Sequence, residues 1–125
     1  MWWTYLIVVG SLMGALGVGA GAFGAHALKE RLTPPELAIF ETAVKYWMYH
    51  ALATCIVALV MSRIENFYIK SSGVSFVLGS ILFSVSLMAL VLTGNRQLGI
   101  ITPFGGVFLI LGWLFLAAGV LLHRV

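Results

Sequence analysis

Aspartate is absent from this 125-residue sequence, and only 9% of the chain is charged, with four glutamates against seven lysines and arginines. That is about a third of the charge a soluble domain carries. So sparse a polar surface excludes a chain built to be solvated by water. It also leaves no paired catalytic carboxylates, no serine nucleophile elbow and no glycine-rich phosphate loop after a strand. One cysteine, Cys55, excludes an intramolecular disulfide, and inside an apolar run it reads as a small buried hydrophobe. No lysine or arginine precedes the first apolar run, which opens Met1-Trp2-Trp3 and exceeds the roughly 7–15 residues of a signal-peptide core. Ala25-His26-Ala27 mimics a cleavage site, but without a basic start the first helix is expected to stay in place.

What is plentiful is apolar: 62% of the residues. A chain this short leaves a large share of its surface exposed and cannot hide so much hydrophobic area from water. Lipid is the solvent that remains, and one transmembrane domain over residues 1–125 is the expected organisation. The net charge of +3 is spread thinly over connectors. That excludes the clustered basic face nucleic acid requires and suits anionic lipid headgroups near helix ends.

Four apolar runs, at about 4–28, 42–62, 72–93 and 102–122, each approach the ~20 residues that cross a hydrocarbon core. Short connectors predict an all-α, up-down-up-down four-helix bundle with both termini on one side. Aromatic residues mark interfaces: Trp2, Trp3 and Tyr5, then Tyr46, Trp47 and Tyr49, then Phe67 and Tyr68. Gly94-Asn95 stops the third helix, Thr102-Pro103 starts the fourth, and His123-Arg124 closes it. Thr33-Pro34-Pro35-Glu36 is the sharpest local signal, an N-cap followed by first-turn prolines and a capping-box acid. A helix from there to Ser62 would be about 44 Å long. Its first turns are expected to form an amphipathic interfacial start, with a bend before the span proper. Lys29, Arg31, Lys45 and Arg96 on one side face Arg63, Lys70 and Arg124 on the other. Four against three sets no membrane orientation.

Small residues organise the spans. Gly10, Gly14, Gly17, Gly21 and Gly24 alternate spacings of four and three, a glycine seam along the first helix. Gly105, Gly112 and Gly119 repeat at sevens on the fourth. The third offers Ser80 and Ser84 on one stripe, and Ser75, Gly79 and Ser86 on another. Lipid gives helices no hydrophobic reason to associate, so close backbone approach and buried hydroxyls must hold them. The seam serves either packing inside one four-helix bundle, or a contact between copies of the chain or a backbone-lined pore.

Candidate chemistry concentrates between His26 and His50. From Glu36 onward, Leu37, Phe40, Val44, Trp47 and Ala51 share one helix face, and Glu41, Lys45 and Tyr49 another. Ionisable groups in membranes are costly, which makes His26, Glu41, Lys45, Tyr49 and His50 the candidate polar site, whether proton relay, metal site or headgroup pocket. The structural alternative is an interfacial Glu41–Lys45 ion pair with both histidines bonded to neighbouring backbone. The two histidines lack the usual ligand spacing, so no metal or cofactor is expected. Small four-helix multidrug transporters depend on an acid in the first helix, and here none lies between Thr4 and Ala25.

Four blocks carry a resemblance. They are Gly21-Ala22-Phe23-Gly24-Ala25-His26; Thr42-Ala43-Val44-Lys45-Tyr46 with His50-Ala51-Leu52; Phe83-Ser84 with Ser86-Leu87; and Thr102-Pro103-Phe104-Gly105-Gly106 with Leu111-Gly112-Trp113. In this order they resemble the YgdD/YwdK family of small bacterial inner-membrane proteins, a domain-of-unknown-function family with relatives in eukaryotes. Trp47 stands where that family commonly has glutamine, and Val85 where it has glycine. The resemblance implies a four-span protein of unassigned activity and supplies no catalytic residues. The expected function is therefore non-enzymatic, that of a packing or accessory subunit. An oligomeric channel or small-solute transporter using His26, Glu41, Lys45 and His50 is the alternative. Expected partners are membrane lipids and either a larger membrane complex or further copies of the chain.

Overall fold

The computed structural model describes residues 1–123. Arg124, assigned from sequence to the end of the fourth span, lies outside them. Four helices account for nearly all of it: α1 (Trp2–Leu28), α2 (Pro34–Met61), α3 (Phe67–Thr93) and α4 (Thr102–Leu121). All four are long and apolar enough to span a membrane, and no strand occurs among the described residues. The fold is an all-α membrane bundle.

Helix ends follow local chemistry. The Thr33 side chain accepts a hydrogen bond from the Glu36 N–H at 3.4 Å, and Pro34 and Pro35 occupy the first turn, where their missing N–H groups go unmissed. Asn66 caps α3 in the same way, its Oδ1 accepting from the Ile69 N–H at 3.0 Å. Gly94 ends α3 at φ +71°, the left-handed conformation that costs glycine nothing.

Three details differ from the sequence reading. First, α2 stays α-helical through all 28 residues, about 42 Å, with no break to mark the expected bend. The interruptions fall elsewhere, as π-helical turns at Ala20–Gly24 in α1 and Ile81–Val85 in α3. Second, α3 begins five residues before the expected start at 72 because the Asn66 cap lies upstream of the apolar run. Third, Thr102 is not a cap. A 3₁₀ turn, Arg96–Ile100, leads into α4, and the Thr102 hydroxyl instead lies 2.6 Å from Ser86 Oγ.

α1 packs along α2, α2 on α3, and α3 on α4. Partners run antiparallel: Gly10 meets Cys55 while Gly24 meets Phe40, and Gly119 meets Ile69 while Gly105 meets Phe83. Ala53, Val57, Met61, Ile69, Phe76 and Leu109 form the apolar core where α2, α3 and α4 converge.

The glycines set how closely these helices approach. A Cβ at Gly10 would lie 2.7 Å from Cys55 Sγ, one at Gly24 3.1 Å from the Phe40 ring, and one at Gly21 3.2 Å from Val44 Cγ1. At Gly17 it would collide with Met48 and Trp47. On α4, Gly105 faces the Phe83 backbone itself, while Gly112 and Gly119 receive the side chains of Phe76 and Ile69. These glycines hold helices together within one chain, through the close contact that replaces a hydrophobic drive in lipid. Gly14 stands apart, for nothing lies within 4 Å of where its Cβ would be.

Candidate functional site

His50 sits on the buried face of α2 with 4% of its surface exposed. One turn earlier on the same helix, the Tyr46 carbonyl oxygen lies 2.7 Å from His50 Nδ1. From α4, the Trp113 indole Nε1–H donates to His50 Nε2 at 3.1 Å. An indole nitrogen can only donate, so Nε2 must be the unprotonated nitrogen. Nδ1 therefore carries the single proton and donates it to Tyr46. Both ring nitrogens are occupied and the imidazole is neutral.

Aromatic rings surround the imidazole, while Trp113 keeps nearly half of its surface exposed. Phe76 lies 5.4 Å from the imidazole, centroid to centroid, and 4.9 Å from Trp113 in an edge-to-face arrangement. Tyr46 stacks on the imidazole at 6.2 Å and packs on Phe83 at 4.8 Å. The quadrupoles of such rings favour these tilted and edge-on contacts. The cluster joins α2, α3 and α4 at mid-bundle.

Around it, polar side chains tie helix to helix through backbone carbonyls. Ser84 Oγ donates to Ala43 O at 2.7 Å, from within the π-helical turn of α3. Ser72 Oγ donates to Gly112 O at 2.7 Å, and Asn66 Nδ2 to Gly119 O at 2.9 Å. The glycine acceptors follow from packing, because a carbonyl without a neighbouring side chain is open to a donor from the next helix. Trp47, where the family resemblance has glutamine, donates its Nε1–H to Met13 O on α1 at 2.6 Å. Ser80 is the exception: its hydroxyl is fully buried and has no partner.

The other candidates do not join His50. His26 is exposed near the end of α1, next to the level where Gly24 meets Phe40. Phe40 and His50 are ten residues apart on α2, about 15 Å of helix, so the two histidines do not converge. Glu41 and Lys45 are exposed and border a shallow hollow of about 260 Å³ beside Gly21, Ala25 and Phe40. The ion pair expected between them is not made. Among the described residues the one ion pair is Lys70–Glu65 at 2.7 Å. Exposure explains the difference, since two solvated side chains gain little by holding one geometry. Tyr49 points outward, 54% exposed. No group of three metal-ligating side chains exists among the described residues.

Trp113, Phe76 and Ser84 are the residues that sequence reasoning did not assign to this region. A tryptophan inside a span carries one warning, an N–H that must find an acceptor away from water. His50 is that acceptor.

Comparison with known proteins agrees with this architecture. Residues 20–106 match the family model described as "Protein of unknown function (DUF423)". A UPF0382 membrane protein of Staphylococcus epidermidis is 41% identical over 115 residues, 92% of this chain and 93% of that one. One from Staphylococcus aureus is 43% identical over 110 residues, covering 88% and 89%. UPF0382 membrane protein YwdK of Bacillus subtilis is 38% identical over 111 residues, covering 88% and 90%. No solved structure matches. The chain belongs to the DUF423 family of membrane proteins.

Proposed function

We propose that this DUF423 protein is a non-enzymatic membrane subunit that acts by helix–helix association, as an accessory part of a larger assembly in the inner (plasma) membrane. The observation that carries this reading is the closed hydrogen bonding of His50, between Tyr46 O and Trp113 Nε1. A general base needs a free lone pair and a transported proton needs a vacant acceptor. The best-placed titratable group of the interior offers neither. Ser72, Ser84 and Asn66 are likewise committed to neighbouring carbonyls.

Association draws support from α1. Along its first eighteen residues it buries only Gly10, Met13 and Gly17. Its uncovered surface includes Gly14 and Gly19, neither of which has an atom within 4 Å of a Cβ position. Uncovered small residues in a lipid-facing helix are where a second helix can approach closely. An all-helical span set suits an inner or plasma membrane, since outer membranes are crossed by closed barrels. The transporter alternative draws less support, because His26, Glu41 and Lys45 lie on the outside and His50 is enclosed.

Photo-crosslinking from Leu12 and Leu16 on the uncovered face of α1, in native membranes, tests the reading. A membrane protein crosslinked there and recovered in fixed stoichiometry with the full chain supports it. Solute or proton flux, or lipid turnover, by the purified chain alone in vesicles would overturn it.

A further inference from the structure

We propose that a cavity between the start of α2 and the end of α3 seats the headgroup of a zwitterionic aminophospholipid of the phosphatidylethanolamine type. The cavity measures about 390 Å³ and is lined by Thr33, Glu36, Ile39, Leu90, Val91 and Arg96. It is the end of the bundle where the first and third connectors meet.

Charge placement selects the ligand. Glu36 and Arg96 both line the cavity, yet they make no ion pair with each other or with any other described residue. One carboxylate and one guanidinium held apart fit a ligand that carries both charges, separated by a few bonds. Arg96 supplies a planar donor set for phosphate, and Glu36 accepts from an ammonium. The start of α2 cannot hold the phosphate in its place. Pro34 and Pro35 have no N–H, and those of Glu36 and Leu37 already go to Thr33 Oγ1 and Thr33 O. The backbone at Arg96 is held by its neighbours: Gly94 turns at φ +71°, and Asn95 Oδ1 accepts from the Gln97 N–H at 3.1 Å.

Depth selects the lipid over a soluble ligand. With 28 residues, α2 is about 42 Å long, close to the ~40–45 Å of a bilayer including both headgroup layers. Its first turn therefore stands at headgroup level. Ile39, Leu90 and Val91 give the cavity an apolar floor toward the hydrocarbon, where a glycerol backbone and acyl chains continue.

Native mass spectrometry of the full chain, with phosphatidylethanolamine, phosphatidylcholine and phosphatidylglycerol of identical acyl chains, tests the assignment. Wild type should retain phosphatidylethanolamine in preference to the other two. Glu36→Gln should erase its advantage over phosphatidylcholine, whose quaternary ammonium has no N–H to donate. Arg96→Gln should weaken phosphatidylethanolamine roughly tenfold, the loss of one charge-assisted contact. Both side chains sit at the surface end of the bundle, and an unchanged melting temperature will show that each variant folds. Equal retention of the three lipids by wild type, selectivity unaltered by Glu36→Gln, or phosphatidylethanolamine retention unaltered by Arg96→Gln overturns the proposal. Displacement of the lipid by equimolar glycerophosphoethanolamine also overturns it, by making the ligand a soluble amine phosphate.

Discussion

Trp113 on α4 and His50 on α2, 63 residues apart in sequence, share a hydrogen bond that fixes which imidazole nitrogen holds the proton. The indole can only donate, so it accepts no proton from the imidazole and blocks Nε2 from gaining one. The indole satisfies a ring nitrogen of the buried imidazole, and the pair pins α4 to α2 across the aromatic cluster.

The first expectation concerns this tautomer. Nitrogen-15 spectra of histidine-labelled protein at neutral pH should show His50 protonated on Nδ1 and bare on Nε2. Trp113→Phe should remove the acceptor's partner and cost about 1–3 kcal/mol of stability, the penalty of an unpaired buried polar group. A His50 signal protonated on Nε2 in the wild type would contradict the assignment.

Two serines one turn apart should respond in opposite directions. Ser84 donates to Ala43 O across the α2–α3 interface, whereas Ser80 is buried with its hydroxyl unpaired. Ser84→Ala should destabilise by about 0.6 kcal/mol, the typical worth of an interhelical hydrogen bond in membranes. Ser80→Ala should be neutral or stabilising, because it removes a polar group that has no partner. Unfolding titrations of both variants in the same detergent decide it, and a larger loss at Ser80 would sink the contrast.

Local chemistry was legible in the sequence and distant pairing was not. Thr33, Gly94 and the four apolar runs act through near neighbours, so their meaning is visible within a few residues. The π-helical turns left no trace: one extra residue in a helix that is apolar all round changes neither composition nor face. The His50–Trp113 bond needs the crossing of two helices whose separation no spacing rule encodes. The glycine seam was visible as a period, but which glycines touch depends on the opposing side chains. Cys55, Met48 and Phe40 reach Gly10, Gly17 and Gly24, and nothing reaches Gly14.

Glu41 and Lys45 offer a separate check, because helix spacing alone would pair them. Both are exposed, and no ion pair joins them. A double-mutant cycle with Glu41→Gln and Lys45→Gln should give a coupling energy below about 0.3 kcal/mol, the level at which independent sites add. A coupling near 1 kcal/mol, dependent on salt, would restore the pair.

The sharpest contrast lies between two glycines. At Gly105 an added methyl would meet the backbone of Phe83 and Leu82, which cannot rotate away, within the π-helical turn of α3. At Gly14 it would meet nothing within 4 Å. Gly105→Ala should therefore force α3 and α4 apart and cost about 1–3 kcal/mol or more, the range for overpacking. Gly14→Ala should stay within about 0.5 kcal/mol of wild type, as surface substitutions do. The same comparison separates packing inside the chain from contact outside it. If Gly14→Ala leaves the purified chain's stability unchanged but weakens crosslinking in native membranes from Val18, exposed one turn along the same face, the lost contact belongs to a partner helix, and the open face of α1 is where that helix lies. If both properties are unchanged, the Gly14 face is covered by lipid alone.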